Sequence, residues 1–191
     1  MKLFKSHEPN TIHYVTAVTF RRVPVFRSHM PCSLFVETLA EVRGNYPYKL
    51  IGYVVMPDHV HLLLNPLSSD ISGLMMRLKG LSARRVLDWL RAEGHTTSLA
   101  KLKLAAPQKR SHTHAVWLKD SSVIDLWSPK FIRQKLHYIH CNPVRAELCQ
   151  HPAQWRWSSY HAYLPHEAGS VPLEMDWKGF WEVEQAGGAR L

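Results

Sequence analysis

Apolar and polar positions along the chain follow two different periods. Runs rich in β-branched and aromatic residues occur at Ile12–Phe20, Tyr48–Met56 and His59–Leu64, and each run predicts a β-strand. Only Pro57 and Asp58 separate the second run from the third. Because proline and aspartate favour tight turns, these two runs are predicted to form an antiparallel hairpin.

Apolar residues at helical spacing mark three further segments, Met30–Arg43, Ile71–Arg91 and Pro129–His140. The last of these ends before an Asn-Pro pair, since the residue before a proline avoids helical geometry. A fourth strand is predicted over Ala115–Ile124. The alternation of strands and helices predicts an α+β fold of the ferredoxin-like sandwich type, in which helices pack on one face of a central antiparallel sheet.

The length of 191 residues suits one domain with an elaboration. We expect the domain over residues 1–162, with a basic insertion of weak periodicity at about 92–113, and a C-terminal tail over 163–191. The tail contains three closely spaced aromatic residues, Trp177, Phe180 and Trp181. Their spacing predicts a short helix that docks through these side chains.

Positive charge dominates most of the chain. The net charge is +9, from 24 Lys and Arg residues against 15 Asp and Glu residues. Residues 161–191 hold five acidic and two basic residues, which leaves 22 basic and 10 acidic residues, a net +12, before them. A surface with this excess of positive charge suits a polyanionic partner such as nucleic acid.

Cysteine usage and hydropathy predict where the protein resides. The chain has three widely spaced cysteines, an odd number that argues against a disulfide framework and favours a reducing compartment. No apolar run approaches the roughly 20 residues of a membrane span, and the first residues do not form a signal-peptide core. We therefore expect a cytoplasmic protein without a membrane partner.

Two histidines form the sharpest chemical motif in the chain. His59 and His61 lie two residues apart on a predicted strand, so both imidazoles project from the same face and could meet one metal ion. The apolar residues on either side of the motif would hold that strand rigidly. Taken alone, the motif is better explained as a pair of histidines on the solvated face of a half-buried strand, since the chain has 13 histidines.

A tyrosine and an asparagine form the second motif. Tyr138 and Asn142 are four residues apart, which places a hydroxyl and an amide oxygen on one helix face. Taken separately, Tyr138 could be a core aromatic and Asn142 a helix C-cap ahead of Pro143. The combination with the two histidines favours a catalytic interpretation.

Three segments in order resemble the His-hydrophobic-His (HUH) single-tyrosine transposases, and among them the REP-associated tyrosine transposases. They are Val-Val-Met-Pro-Asp-His-Val-His-Leu-Leu-Leu at 54–64, Tyr-Ile-His-Cys-Asn-Pro-Val at 138–144, and Trp-Arg-Trp-Ser-Ser-Tyr at 155–160. The resemblance covers roughly residues 10–162. It implies that His59, His61 and Asn142 bind a divalent metal, Mg²⁺ or Mn²⁺, and that Tyr138, on a helix beside the His-x-His strand, is the nucleophile.

The resemblance also implies an activity. It predicts a metal-dependent endonuclease and strand transferase that acts on single-stranded or hairpin DNA, such as REP-like repeats, through a 5′-phosphotyrosine intermediate. A monomer is favoured, although relatives include dimers that exchange the tyrosine helix. Two alternatives stay open: a domesticated, non-catalytic nucleic-acid-binding module of the same fold, and a metal-dependent nuclease that hydrolyses DNA without a tyrosine adduct.

Several other residues are weaker candidates for DNA contacts. Basic residues on the second and third predicted helices could track a phosphate backbone, or could simply form solvated helix faces. These residues are Arg77, Arg84, Arg85, Arg91, Lys130 and Arg133. Trp155 and Trp157 could stack on bases, but packing against the sheet is favoured. His13 and Tyr14 could border the site, although a core role is favoured for the histidine.

The acidic tail has two interpretations. Its carboxylates, including Glu174 and Asp176, could compete with phosphate for a basic surface and so inhibit the enzyme. Alternatively, the tail only covers apolar surface, which is the interpretation we favour.

Overall fold

A computed structural model describes residues 11–105, 113–164, 173 and 175–176. Within these residues, one antiparallel sheet has four strands in the order β2-β3-β1-β4. The strands are β1 (Ile12–Val18), β2 (Tyr48–Met56), β3 (His59–Pro66) and β4 (Ser122–Leu126). This order is the one that a split βαβ arrangement generates, and it confirms the predicted ferredoxin-like sandwich.

The two faces of the sheet carry different helices. Helices α1 (His29–Asn45) and α2 (Ile71–Ala92) share a hydrophobic core with the β3 residues Val60, Leu62 and Leu64. Because strand side chains alternate, the histidines of β3 point to the opposite face. Helix α4 (Pro129–His140) packs on that opposite face.

Two short helices complete the set in the described residues. Helix α3 (Thr96–Leu102) follows α2, and helix α5 (Asn142–Arg145) follows α4 directly. The structure describes no helix long and apolar enough to cross a membrane.

The predicted fourth strand is placed too early in the chain. The observed strand β4 begins at Ser122 and not at Ala115. Val116 and Trp117, in the earlier part of the predicted strand, are apolar because they are buried in the α1–α2 core. Trp117 forms only an isolated bridge with Thr19, and its indole N–H donates to Ser82 at 3.0 Å. Core packing therefore produced an apolar pattern that resembles a strand.

The basic insertion is more ordered than the sequence indicates. Residues Thr96–Leu102 form α3, and Leu102 is completely buried against the main core. Residues 106–112 lie outside the described part of the chain. The first strand also ends earlier than predicted, at Val18, because a 3₁₀ turn over Phe20–Arg22 follows it.

The outer edge of β2 is covered by the Trp-Arg-Trp-Ser-Ser segment. Val55 N–H donates to the Trp157 carbonyl at 2.8 Å, and the Trp155 indole N–H donates to the Val55 carbonyl at 3.0 Å. Ser159 N–H donates to the Tyr53 carbonyl at 2.9 Å. The two tryptophans thus pack against the sheet, as predicted, and protect an edge that would otherwise expose unpaired backbone groups.

Part of the tail covers the same edge. Asp176 accepts a hydrogen bond from Leu50 N–H at 2.7 Å, donates its own N–H to the Leu50 carbonyl at 2.8 Å, and pairs with Arg43. Leu173 and Met175 are buried in the α1–α2 core. The aromatic residues predicted to form a docking helix, Trp177, Phe180 and Trp181, lie outside the described residues.

Candidate active site

The β2–β3 hairpin presents the two histidines on one face of the sheet. The ring centroids of His59 and His61 lie 4.8 Å apart. Strand β3 pairs with β2 on one side and with β1 on the other, so backbone hydrogen bonds hold it on both edges. An inner strand of this kind provides the rigid support that a preorganised site requires.

Hydrogen bonds orient the His59 ring. Its Nδ1 lies 2.6 Å from a carboxylate oxygen of Asp58, whose other oxygen accepts a hydrogen bond from Arg22 at 2.9 Å. Burial by itself would raise the pKa of Asp58, but the bonds from His59 and Arg22 outweigh it and hold the pKa below its usual value. The charged carboxylate therefore fixes Nδ1 and leaves Nε2 as the nitrogen available to a metal.

His61 is buried and is held by two hydroxyl groups. Its Nδ1 lies 2.9 Å from the Tyr14 hydroxyl and 2.8 Å from the Thr16 hydroxyl. Burial, together with the smaller effects of the charges of His59 and Lys135, lowers the pKa of His61 to about 3. At neutral pH the imidazole is uncharged, which is the form that binds metals.

Helix α4 brings Tyr138 to these histidines. The Tyr138 ring centroid lies 5.9 Å from that of His61 and 6.3 Å from that of Tyr14. The helix begins after Ser128, whose hydroxyl accepts a hydrogen bond from Phe131 N–H, and Pro129 occupies its first turn. The structure therefore places the predicted nucleophile beside the His-x-His strand.

One face of α4 anchors the helix to the sheet. Ile132, Leu136 and Ile139 are buried at helical spacing against β2 and β3. At Gly52, beside a β-bulge, an added Cβ would lie 2.5 Å from Leu136 Cδ1. The missing side chain at this position is what permits the close approach of helix and strand.

A buried histidine adds a polar anchor to α4. His140 Nε2 lies 2.9 Å from the Ser159 hydroxyl, which also accepts a hydrogen bond from Tyr53 N–H at 2.9 Å. Burial, together with the smaller effect of His137, lowers the pKa of His140 to about 3. The end of α4 is thus tied to the segment that covers the β2 edge. Sequence reasoning missed Gly52 and Ser159, although a lone glycine inside a strand pattern is a recognisable sign of close backbone approach.

Asn142 begins α5, four residues after Tyr138, and is partly buried. No other described residue engages its side-chain amide in a hydrogen bond. Within the described ranges, no third His, Cys, Asp or Glu joins the two histidines in a cluster that could hold a metal. Two imidazoles with fixed Nδ1 atoms fit a divalent ion, and any further protein ligand in the described residues must be of another type, such as an amide.

Two cations flank the tyrosine ring, and the sequence analysis did not single them out. The Arg145 guanidinium carbon lies 5.0 Å from the Tyr138 ring centroid. The Lys135 amine lies 5.6 Å from the same centroid and 4.9 Å from that of Tyr14. Lys135 precedes Tyr138 by one helical turn, and this spacing is a signal that could have identified it.

The predicted DNA-contacting residues divide between the two faces of the sheet. Lys130 and Arg133 are exposed on α4, in the same layer as Tyr138. The four arginines of α2 lie in the other layer: Arg77 over the Tyr46 ring, Arg85 paired with Glu41, Arg91 paired with Asp88, and Arg84 exposed. The structure therefore brings only the α4 pair to the face of the candidate site.

The first strand contributes one residue to the site and one to the sheet. Tyr14 contacts both His61 and Tyr138, so it borders the site. His13 points to the opposite face, is buried, and pairs with Asp125 at 2.7 Å. The favoured core role of His13 is thus confirmed.

Known proteins share both sequence and fold with this chain. The sequence model of IS200-like transposases matches residues 8–98, which include both histidines and end before Tyr138. No curated protein matches the chain.

Two solved structures are similar. A REP-associated tyrosine transposase bound to a REP hairpin matches with a TM-score of 0.64 and 16% identity, over 91% of this chain and 88% of that chain. A transposase structure from Deinococcus radiodurans has a TM-score of 0.45 and 23% identity, over 73% of this chain and 95% of that chain. The sequence match over residues 8–98 is thus to IS200-like transposases, and the fold is that of the structure with the TM-score of 0.64.

Proposed function

We propose that the protein is a metal-dependent endonuclease and strand transferase that cleaves single-stranded or hairpin DNA through Tyr138. One observation carries the proposal: the Tyr138 ring lies 5.9 Å from the ring of His61, which is neutral, buried and paired with His59 on the same sheet face. A nucleophilic hydroxyl and a metal-binding pair in one place form the minimal set for transesterification of a phosphodiester.

The reaction follows from the chemistry of a phenol and a phosphodiester. A divalent ion, Mg²⁺ or Mn²⁺, held by His59, His61 and Asn142 would withdraw negative charge from the phosphate. The Tyr138 oxygen forms a bond to phosphorus while the bond from phosphorus to the 3′-oxygen breaks. The phenol proton passes to solvent, and the departing 3′-oxygen takes up a proton. The products are a 5′-phosphotyrosine and a free 3′-hydroxyl.

Strand transfer uses the same bond in reverse. Because the phosphotyrosine retains the phosphoester, a 3′-hydroxyl from another strand can displace Tyr138 without a nucleotide cofactor. The +12 charge over residues 1–160 supports a DNA substrate. The similar transposase in complex with a REP hairpin supports hairpin DNA in particular. We propose that the protein acts as a monomer in the cytoplasm, where its three unpaired cysteines are stable.

Covalent trapping tests this proposal. Labelled single-stranded oligonucleotides that tile the palindromic repeats near the gene are incubated with protein and Mn²⁺ or Mg²⁺, then separated on a denaturing gel. We expect an adduct that survives denaturation and disappears in Tyr138→Phe. Tyr160→Phe is the matched control, because it removes a phenol hydroxyl near the same helix and should keep the adduct.

The same gel separates the two alternatives. A nucleic-acid-binding module would retard DNA under native conditions and give no adduct from the wild-type protein. A hydrolytic nuclease would still cleave DNA when Tyr138 is replaced by phenylalanine. Either outcome would refute the proposed tyrosine mechanism.

A further inference from the structure

The cations beside Tyr138 differ from four other described arginines in the partners that they have. Arg22, Arg43, Arg85 and Arg91 each pair with a carboxylate. Within the described residues, neither Lys135 nor Arg145 forms an ion pair with a carboxylate. Both instead lie beside the ring of the proposed nucleophile.

Their positions bracket the tyrosine along the chain. Lys135 lies one turn before Tyr138 on α4, and Arg145 lies at the end of α5. The turn between the two helices is fixed, since Arg145 N–H donates to the Cys141 carbonyl at 3.0 Å. Both cations therefore belong to the same rigid surface as Tyr138, while their long side chains can rotate toward its hydroxyl.

Cations that lack a carboxylate partner and lie beside the ring of a nucleophilic tyrosine suit an anionic ligand. A phosphodiester under attack gains negative charge on its non-bridging oxygens, and fixed positive charges at that point stabilise the transition state. Guanidinium binds phosphate through two parallel hydrogen bonds, and ammonium acts as a point charge. Lys135 also lies against Tyr14 and Phe131, at 4.9 and 5.5 Å from their ring centroids, which limits its contact with water.

We propose that Lys135 and Arg145 bind the non-bridging oxygens of the phosphate that Tyr138 attacks, and that they hold the resulting phosphotyrosine for strand transfer. This inference rests on the proposed function of Tyr138. It adds two catalytic residues to the site. Positive charge at the attacked phosphate then comes from side chains of the protein as well as from the proposed metal ion.

Single-turnover kinetics test the inference with the full-length protein and the oligonucleotide that gives most adduct. The variants are Lys135→Met, Arg145→Met and Arg145→Lys. Arg156→Met is the matched control, because Arg156 also lies over an aromatic ring, that of Trp157 at 5.4 Å, but away from Tyr138. Rates are measured at saturating DNA and fixed Mn²⁺, and melting temperatures are compared for all variants.

We expect each methionine variant at the site to lose about 100-fold in cleavage rate, as when one transition-state donor is removed, with much smaller changes in DNA affinity. Arg145→Lys should recover part of the rate, because it keeps the charge and loses the two-bond geometry. Arg156→Met should cleave at the wild-type rate.

A substrate with a methylphosphonate at the cleavage position provides the decisive comparison. This group lacks one charged oxygen, so the loss caused by Arg145→Met should shrink on it. Two results would overturn the inference while leaving the Tyr138 adduct intact. One is an equal loss of rate by Arg145→Met on both substrates, and the other is cleavage by the Lys135 and Arg145 variants at the rate of Arg156→Met. Absence of an adduct from the wild-type protein would instead overturn the proposed function, and this inference with it.

Discussion

At the scale of single residues, the environment of each histidine decides what it can do. His13 and His61 are both buried, but His13 pairs with a carboxylate on β4, whereas His61 meets two hydroxyls and faces Tyr138. The carboxylate fixes the orientation of the His13 ring, whereas burial lowers the pKa of His61 and keeps that ring neutral. Two histidines of the same sheet are thus suited to different roles.

Removal of one histidine should weaken metal binding directly. We expect His61→Ala to lower Mn²⁺ affinity by about 100-fold or more, because one of the proposed ligands is lost and even outer-shell partners normally contribute about 10-fold to 100-fold. Electron paramagnetic resonance titration with Mn²⁺ measures this without DNA. His29→Ala, at an exposed position on α1, serves as the control.

Cleavage by the wild-type protein should also disappear when EDTA is added. Undiminished adduct formation in EDTA, or unchanged Mn²⁺ affinity in His61→Ala, would contradict the proposed role of the histidine pair.

At the scale of elements, the position of α4 against the sheet decides whether Tyr138 reaches the histidines. The β-bulge in β2, the absence of a side chain at Gly52 and the His140–Ser159 hydrogen bond all act on this one contact. Buried cores resist added volume, so a small change here should displace the whole helix.

Gly52→Ala tests this control over α4. The new methyl group would lie 2.5 Å from Leu136 Cδ1 and 3.2 Å from Ile139 Cδ1. We expect a loss of about 1–3 kcal/mol in the free energy of unfolding, typical of an overpacked core, and a larger loss in adduct rate. Urea denaturation and the covalent assay measure the two effects.

Gly80→Ala is a matched control, for which we expect a change of opposite sign in the free energy of unfolding. Gly80 lies inside α2, where an added Cβ would meet no atom within 4 Å beyond its chain neighbours and the backbone of its own helix. Alanine there should stabilise the protein by about 0.5–1 kcal/mol through helix propensity, without a change in adduct rate. If Gly52→Ala behaved in the same way, the close approach would have no functional consequence.

Part of the tail also acts as a structural element, because Asp176 forms hydrogen bonds with Leu50 at the outer edge of β2. Truncation after Leu164 removes the bonds of Asp176 to Leu50 and Arg43 and exposes the pocket of Leu173 and Met175. Burial of one such side chain is worth about 1.5–3 kcal/mol, so the truncated protein should melt at a lower temperature. Faster cleavage with an unchanged melting temperature would instead support autoinhibition.

At the scale of the whole molecule, the charge distribution should govern DNA affinity. The net +12 over residues 1–160 predicts that log K falls with log salt, by about 0.7 for each phosphate neutralised on a single strand. Lys130→Met, on the α4 layer, should reduce this slope by about 0.7, while Arg84→Met measures whether DNA extends to the α2 layer. Fluorescence anisotropy between 50 and about 200 mM salt measures the slopes. If log K did not change with log salt, the basic surface would not be a DNA-binding face.

The sequence by itself determined the elements and the motifs. Strand β2 and helix α4 have the predicted bounds, because a run of β-branched and aromatic residues, turn formers and a proline stop are local signals. The pairing of His59 with His61 on one face also follows from the pleat alone. The fourth strand exists, but it was predicted to begin too early because Val116 and Trp117 are apolar residues of the α1–α2 core, which only the folded chain creates.

Tertiary structure decided everything that joins distant segments. The approach of Tyr138 to His61 spans 77 positions and depends on Gly52, which carries no chemistry of its own. The contacts of Lys135 and Arg145 with Tyr138, and the separation of the α2 arginines from the site by a sheet, likewise depend on which face each helix covers. Local patterns specify an element and its apolar side, but the layer it occupies is set by packing of the whole core.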